Sequence, residues 1–190
     1  MPLPRYHRLP ADAQAAILAV ARTHFARDGK DAASFNRIIA EAGISKTSAY
    51  HYFDGKDDLY AAVAEDVAAR ALAVLGPWKA VDTPAELLEQ LTAGTRRLLG
   101  HLREHPADRA LLAGGRGRGQ DPGPWVRDLV ANGLRIGAIA ADPDPELTTA
   151  ATQGVFDALD GWALAHPDRP GDTVGDTLVL LLSRLWNTPS

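Results

Sequence analysis

Cysteine is absent from all 190 residues, which excludes disulfide bridges and a thiolate metal site. Aromatic residues are sparse and β-branched runs are scarce, while alanine and leucine abound; that balance favours helices over strands. No run approaches the roughly 20 apolar residues of a membrane span. The opening MPLPRYHRLP carries cations but no apolar stretch of the kind a signal peptide needs, so a cytoplasmic location is expected. G-x-S-x-G, H-E-x-x-H and a paired-glycine fingerprint are all missing. His101 and His105 share a helical face, but Pro106 follows at once and no third ligand stands at helical spacing. Asp157 and Asp160 face different directions and read as solvated or interface groups. Neither an enzyme nor a cofactor or metal is expected.

What the chain does contain is enough apolar material, 46% against 23% charged, to bury a sizeable core in one domain or two small ones. The net charge of −4 is unevenly spread. Residues 1–60 hold eight basic against seven acidic side chains, and residues 61–190 hold twelve against seventeen. The acidity therefore lies mostly in the later part. Local clustering governs contact with phosphates, and overall charge is a poor guide to it.

Taken in order, the three prolines of residues 1–10 predict an extended or disordered segment. Arg5 and Arg8 there read as a solvated tail, with a place along the DNA backbone or in a minor groove as the alternative. Residues 11–28 form a first helix with Ile17, Leu18, Ala21 and Phe25 on one stripe, ended by Gly29. A long helix over about 55–76 carries Leu59, Val63, Val67, Ala71 and Val74, and Gly76-Pro77 stop it. Residues 84–104 form a leucine-rich helix, and a short piece follows at 107–113. GGRGRGQDPGP at 114–124 lacks the ending and the preceding strand of a phosphate loop and reads as a flexible loop. Helices are expected at 124–140, 145–166 and 172–187. In the penultimate one Leu147, Ala151, Gly154, Val155, Ala158, Leu159 and Trp162 recur at helical spacing. In the last, Val174, Leu178, Leu181, Leu182, Leu185 and Trp186 do the same, with Val179 and Leu180 beyond the stripe.

The most informative stretch is 34–56, SFNRIIAEAGISKTSAYHYFDGK. Phe35, Ile38, Ile39 and Ala42 make one apolar face of a short helix, and Ser34 precedes it as an N-cap. Gly43 stands where a helix end needs a left-handed residue, Ile44 plugs the turn, and Ser45 caps the next helix. In that second helix only Ala49 and Phe53 face inward. Lys46, Thr47, Ser48, Tyr50 and His51 remain for solvent or a partner, which suits a recognition helix in the DNA major groove. Helix-turn-helix pairs also occur in proteins that never touch DNA, so the outline alone leaves the question open.

The detail of AGISKTSAYHYFDGKDDL resembles the signature of TetR/AcrR-type transcriptional regulators, with Gly43, Ile44, Ser45, Tyr50, His51, Tyr52, Phe53 and Lys56 on the pattern. The resemblance implies an all-α fold: an N-terminal three-helix DNA-binding domain with a helix-turn-helix, residues 1–54, and a C-terminal helical ligand-binding and dimerisation domain, residues 55–190. It also implies that Asn36 reaches base edges, where asparagine can pair with adenine; plain surface is the alternative. By chemistry, Lys46 and Lys56 are phosphate contacts, with a guanine edge as the alternative for Lys46, and Thr47 and Ser48 can approach bases. Tyr50 and His51 hydrogen-bond phosphates, and Ser34 and Arg37 contribute at the start of the first helix of the pair. Tyr52 is expected to be mostly packed and Phe53 to be core.

The expected partners are a double-stranded DNA operator, a second copy of the chain docked through residues 145–187, and an unidentified small-molecule effector, with no membrane. The small residues Ala150, Ala151, Gly154 and Ala158 would let helices approach closely in such a dimer. By size and apolarity alone, Trp78, Leu99, Trp125, Phe156 and Trp162 are candidates for the wall of a ligand pocket, or simply core. The function so implied is a ligand-responsive regulator, most often a repressor in the resembled family. A helical interaction protein that keeps the fold without operator recognition is the alternative.

Overall fold

A computed structural model describes residues 2–115, 123–142 and 144–186. Among them are a 3₁₀ turn at Tyr6–Arg8 and the helices α1 (Ala11–Ala32), α2 (Phe35–Glu41), α3 (Lys46–Tyr52), α4 (Lys56–Leu75), α5 (Pro84–Glu104), α6 (Pro106–Gly115), α7 (Pro124–Arg135), α8 (Pro145–Ala165) and α9 (Gly171–Leu185). No described residue is in a strand, and no described helix is long and apolar enough to cross a membrane. The chain is all-α, as its composition implies.

Packing divides it into two compact units. One contains the chain through Arg70 together with His105–Gly115; the other holds Ala71–Glu104 and the remainder. The division expected after residue 54 therefore differs from the structural one. Most of α4 and all of α6 pack with the N-terminal helices, because Val63, Val67 and Leu111 belong to the same core as Phe25 and Phe53. A charged clamp reinforces α6: the buried Asp108 carboxylate accepts from Arg70 Nε at 3.0 Å and lies 3.4 Å from Arg22 Nε.

In this N-terminal unit Ile17, Ala21 and Phe25 of α1 meet Ile38 of α2 and Phe53 at the end of α3. Leu59 and Val63 of α4 close the core from below. Burying each of the larger side chains stabilises the unit by about 1.5–3 kcal/mol. Helix α1 is interrupted at Gly29, where the sequence places its end, and one further turn runs to Ala32. The opening segment departs from the extended tail expected of it. Tyr6 is buried with its ring 4.9 Å from that of Phe53, and Leu3 N donates to the Tyr52 carbonyl at 2.9 Å. Prolines set the local backbone, but a buried tyrosine decides where the segment lies.

In the C-terminal unit α5, α7, α8 and α9 pack around Leu87, Leu91, Leu129, Val130, Leu159, Leu178, Leu182 and Trp186. Helix α7 ends at Arg135 and does not continue to residue 140 as expected. Gly137 takes φ 71°, and the N–H groups of Ala138 and Ile139 both turn back to the Gly133 carbonyl at 2.9 and 3.1 Å. Ile139 folds over Gly133 so closely that a β-carbon there would sit 2.5 Å from Ile139 Cδ1. Apolar periodicity through Ile136, Ala138 and Ile139 mimics helix, although these residues are the returning chain. Asn132, buried on α7, holds the segment after α4: its Oδ1 accepts from Trp78 Nε1 and Val81 N, and its Nδ2 donates to the Val81 carbonyl.

Helix α8 buries Thr148, Thr152, Leu159 and Ala163. Of the apolar series read from the sequence only Leu159 is fully buried; Leu147, Gly154 and Ala158 are exposed. The threonines are tolerated inside because they find partners, as Thr152 Oγ1 does in accepting from Trp186 Nε1 at 3.0 Å. The glycine-rich run is described only at its edges, since residues 116–122 lie outside the described residues.

Candidate nucleic-acid interface

Helices α2 and α3 are each only seven residues long, too short to be stable alone. Caps and burial hold them. Ser34 Oγ accepts from Arg37 N at 3.4 Å, and Ser45 Oγ accepts from Ser48 N at 3.1 Å, each satisfying an N–H that the helix start leaves open. Between them Gly43 has φ 70°, and the Ile44 N–H bonds to the Ile39 carbonyl at 3.0 Å. This turn orients α3 across α2. Ala49 and Phe53 are wholly buried, so α3 has a single possible face inward.

The opposite face is what remains for a partner. Lys46, Thr47, Tyr50 and His51 are exposed, Ser48 is half-buried, and the Ser48 hydroxyl accepts from Ser45 Oγ at 2.9 Å. On α2, Asn36 and Arg37 are exposed and Ser34 is half-buried. Tyr50 reaches toward the start of α2, its ring 5.6 Å from that of Phe35. Tyr52 is half-buried against the core, as expected of it. Lys56 is placed differently from the rest: its Nζ donates to the Asp31 carbonyl at 2.6 Å, joining the start of α4 to the end of α1. A lysine has three donors, so this bond leaves two for an anion.

The residues named for DNA contact are thus exposed or half-buried on α2, α3 and their caps, with Lys56 partly engaged in holding the helices. What the sequence does not show is the anchoring of the opening segment: Tyr6 holds it so that Arg5 and Arg8 share a groove with Tyr50 and His51. A tyrosine and two leucines among the prolines of residues 1–10 were the available signal.

In the C-terminal unit three of the five pocket candidates meet. The rings of Trp78 and Trp125 are 5.2 Å apart and those of Trp125 and Phe156 are 5.8 Å apart, each pair edge to face. Trp162 stacks instead on His166 at 5.0 Å with the Arg169 guanidinium over it, and Leu99 lies against Gly171. All five are half-buried against the core. Among the described residues no group of three or more His, Asp or Glu side chains is arranged to hold a metal ion.

A capped, two-helix reading head with its polar face uncovered, carried on a three-helix core and joined to a helical body, defines a helix-turn-helix protein. Residues 17–63 match the family model described as "Bacterial regulatory proteins, tetR family". Solved structures with the same fold include a TetR-like transcriptional regulator from Rhodococcus sp. RHA1, at 24% identity over 95% of this chain and 97% of that one, TM-score 0.58. A TetR-family regulator from Streptomyces coelicolor A3 is similar at 19% identity over 95% and 98%, TM-score 0.59. The fatty acid degradation regulator FadR from Bacillus halodurans is similar at 14% identity over 88% and 96%, TM-score 0.65. No curated protein matches the sequence. Residues 17–63 thus carry the N-terminal domain of the tetR family, and the chain as a whole has the fold seen in solved TetR-type regulators.

Proposed function

We propose that this protein is a transcriptional regulator that binds a palindromic operator as a homodimer, acts as a repressor, and is released by a small molecule. The observation that carries the DNA-binding part is the α3 face, where Lys46, Thr47, Tyr50 and His51 stay exposed while Ala49 and Phe53 fix the helix from behind. Lys46, Lys56, Tyr50, His51, Ser34 and Arg37 contact phosphates, and Asn36, Thr47 and Ser48 approach base edges. Ser45 serves as the cap that holds α3 in register.

Support for the dimer comes from the outer face of α8 and α9. Leu147 on α8 is 61% exposed, Leu180 and Leu181 on α9 are 50% and 39% exposed, and Ala150, Gly154 and Ala158 are uncovered along α8. Small residues beside uncovered leucines suit close packing against a second copy. Residue 187, at the end of the expected interface, lies outside the described residues. Two copies would present their α3 helices to half-sites about 34–36 Å apart. The effector binds within the C-terminal unit against Trp78, Trp125 and Phe156, with Leu99 and Trp162 as further wall. It releases DNA only by preferring one arrangement of the dimer over another.

The test is fluorescence anisotropy on DNA flanking the protein's own gene, with scrambled DNA and a random-sequence selection beside it. Lys46→Ala/Tyr50→Ala is expected to lose operator binding by at least tenfold while keeping its helical content and oligomeric state. A selection that enriches no sequence would remove the regulator reading in favour of a helical interaction protein.

A further inference from the structure

The opening segment is built as a rigid turn, and among the described residues nothing neutralises the two cations it carries. Its backbone is pinned at both ends: Leu3 N donates to the Tyr52 carbonyl at 2.9 Å, and Gln14 Nε2 donates to the Leu9 carbonyl at 2.8 Å. Between them Tyr6 is 4% exposed, Tyr6 N bonds to the Leu3 carbonyl, and Leu9 N bonds to the Tyr6 carbonyl. Arg8 N meets the Arg5 carbonyl at 3.3 Å, so Arg5 and Arg8 stand three residues apart on a 3₁₀ turn. Side chains at that spacing eclipse one another.

Both guanidinium groups are exposed, and among the described residues neither has an ion-pair or hydrogen-bond partner. That contrasts with Arg22, Arg27, Lys30 and Arg70 of the same unit, each paired with a carboxylate. Two like charges on one short turn repel, and the repulsion is relieved by an anion that meets both. Arg5 and Arg8, with Leu3, Pro4, Tyr50 and His51, line an open groove of about 440 Å³. Tyr50 and His51 are the end of the α3 face already assigned to DNA. The groove is therefore continuous with that face through shared residues.

We infer that the opening turn is a second phosphate clamp, in which Arg5 and Arg8 grip the DNA backbone beside the phosphates met by Tyr50 and His51. This rests on the DNA-binding reading of α3 and extends it by naming the backbone contact. The groove holds no amide or carboxamide side chain for reading a base, and its charged groups are guanidinium forks that match phosphate oxygens. The clamp adds affinity without sequence preference. Because the turn is anchored through Tyr6, the arginines are ordered before DNA arrives, and little entropy is lost when they engage.

The experiment measures binding to a mixed-sequence duplex and to duplexes with A·T-rich or G·C-rich flanks, over a range of salt concentrations. Wild type, Arg5→Ala/Arg8→Ala and Arg5→Lys/Arg8→Lys are compared. Each lost phosphate contact lowers the slope of log affinity against log salt by about 0.9, so the alanine pair is expected to lose about 1.8 per bound chain. Its affinity should fall on the order of tenfold or more on every duplex alike, while the lysine pair keeps most of the wild-type slope. Thermal unfolding should be unchanged in both variants, since neither arginine is packed. An unchanged slope in the alanine pair overturns the clamp while leaving the α3 reading intact. A loss confined to A·T-rich flanks overturns it in favour of base readout from the minor groove. A wild type that binds no duplex removes both readings together.

Discussion

The N-terminal unit ties its helices together with ion pairs as well as apolar packing, and Asp108 between Arg22 and Arg70 is the most buried of these. The C-terminal unit also has ion pairs, Arg96 to Asp172 and Arg135 to Asp82, but these lie exposed; inside it are a wide apolar core and neutral hydrogen bonds, from Trp78 to Asn132 and from Trp186 to Thr152. Their surfaces differ in the same sense. The first leaves Lys46, Tyr50, His51, Arg5 and Arg8 uncovered, and the second leaves Leu147, Leu180 and Leu181. Charge surrounded by aromatic edges suits a solvated anionic polymer, whereas uncovered leucines suit another apolar helix. On the proposed function, one chain would carry two kinds of recognition, separated by the chemistry of what each unit leaves out of its core.

All four tryptophans lie in the C-terminal unit, so fluorescence reports that unit and far-ultraviolet circular dichroism reports both. The largest expected effect comes from Phe53→Ala, which empties the centre of the N-terminal core and should cost about 3–5 kcal/mol. In urea, the dichroism transition should move to lower concentration while the fluorescence transition stays. If the two moved together, the units would be unfolding as one, and the contrast between them would be structural only.

Gly133→Val tests the other side. The new side chain collides with Ile139 and should cost about 1–3 kcal/mol. Here the fluorescence transition should shift, and binding of a mixed-sequence duplex by the N-terminal unit should persist below it. A variant as stable as wild type would mean that the turn after α7 can open without loss.

The smallest effect is electrostatic. Glu86 Oε2 accepts from the N–H groups of Asp82 and Thr83 ahead of α5, while Thr83 Oγ1 accepts from Glu86 N. Hydrogen bonds from the Asp82 backbone, then from Thr83, hold the Glu86 carboxyl below the usual glutamate range. A folded value depressed below the unfolded one stabilises above the unfolded value, and that contribution fades as pH falls through the folded value. Glu86→Gln should therefore be slightly less stable than wild type near neutrality and equal to it once the carboxylate is protonated. A difference that persists in acid would assign the loss to altered geometry and not to charge. Urea melts of the C-terminal unit by fluorescence, at pH 7 and below pH 4, would distinguish the two.

Legibility in the sequence followed how local the cause was. The α2–α3 pair was readable to the residue, since Ser34, Gly43 and Ser45 act on their own neighbours through caps and one left-handed turn. The exposure of the α3 face followed from having only Ala49 and Phe53 to bury. Where distant residues decide, the reading slipped. Nothing near Tyr6 announces that Phe53 will receive it. Nothing in the α8 repeat shows that Thr148 and Thr152 turn inward while Leu147 turns out. The pocket candidates divided likewise: the rings of Trp78, Trp125 and Phe156 meet one another, whereas Trp162 stacks on His166 and Leu99 lies near Gly171.

By itself the sequence determined the helical class, the position of the helix-turn-helix and which of its side chains stay exposed. These depend on backbone propensity, capping and the 3.6-residue period, all of which act within a few turns. Only the tertiary structure decided that α6 belongs with the N-terminal helices, that α7 stops at Arg135, and that the proline-rich opening becomes a fixed turn beside α3. Each of those outcomes depends on which buried surface lies within reach after the chain has folded: Leu111 and Asp108 for α6, Gly133 for the turn after α7, and Phe53 for Tyr6.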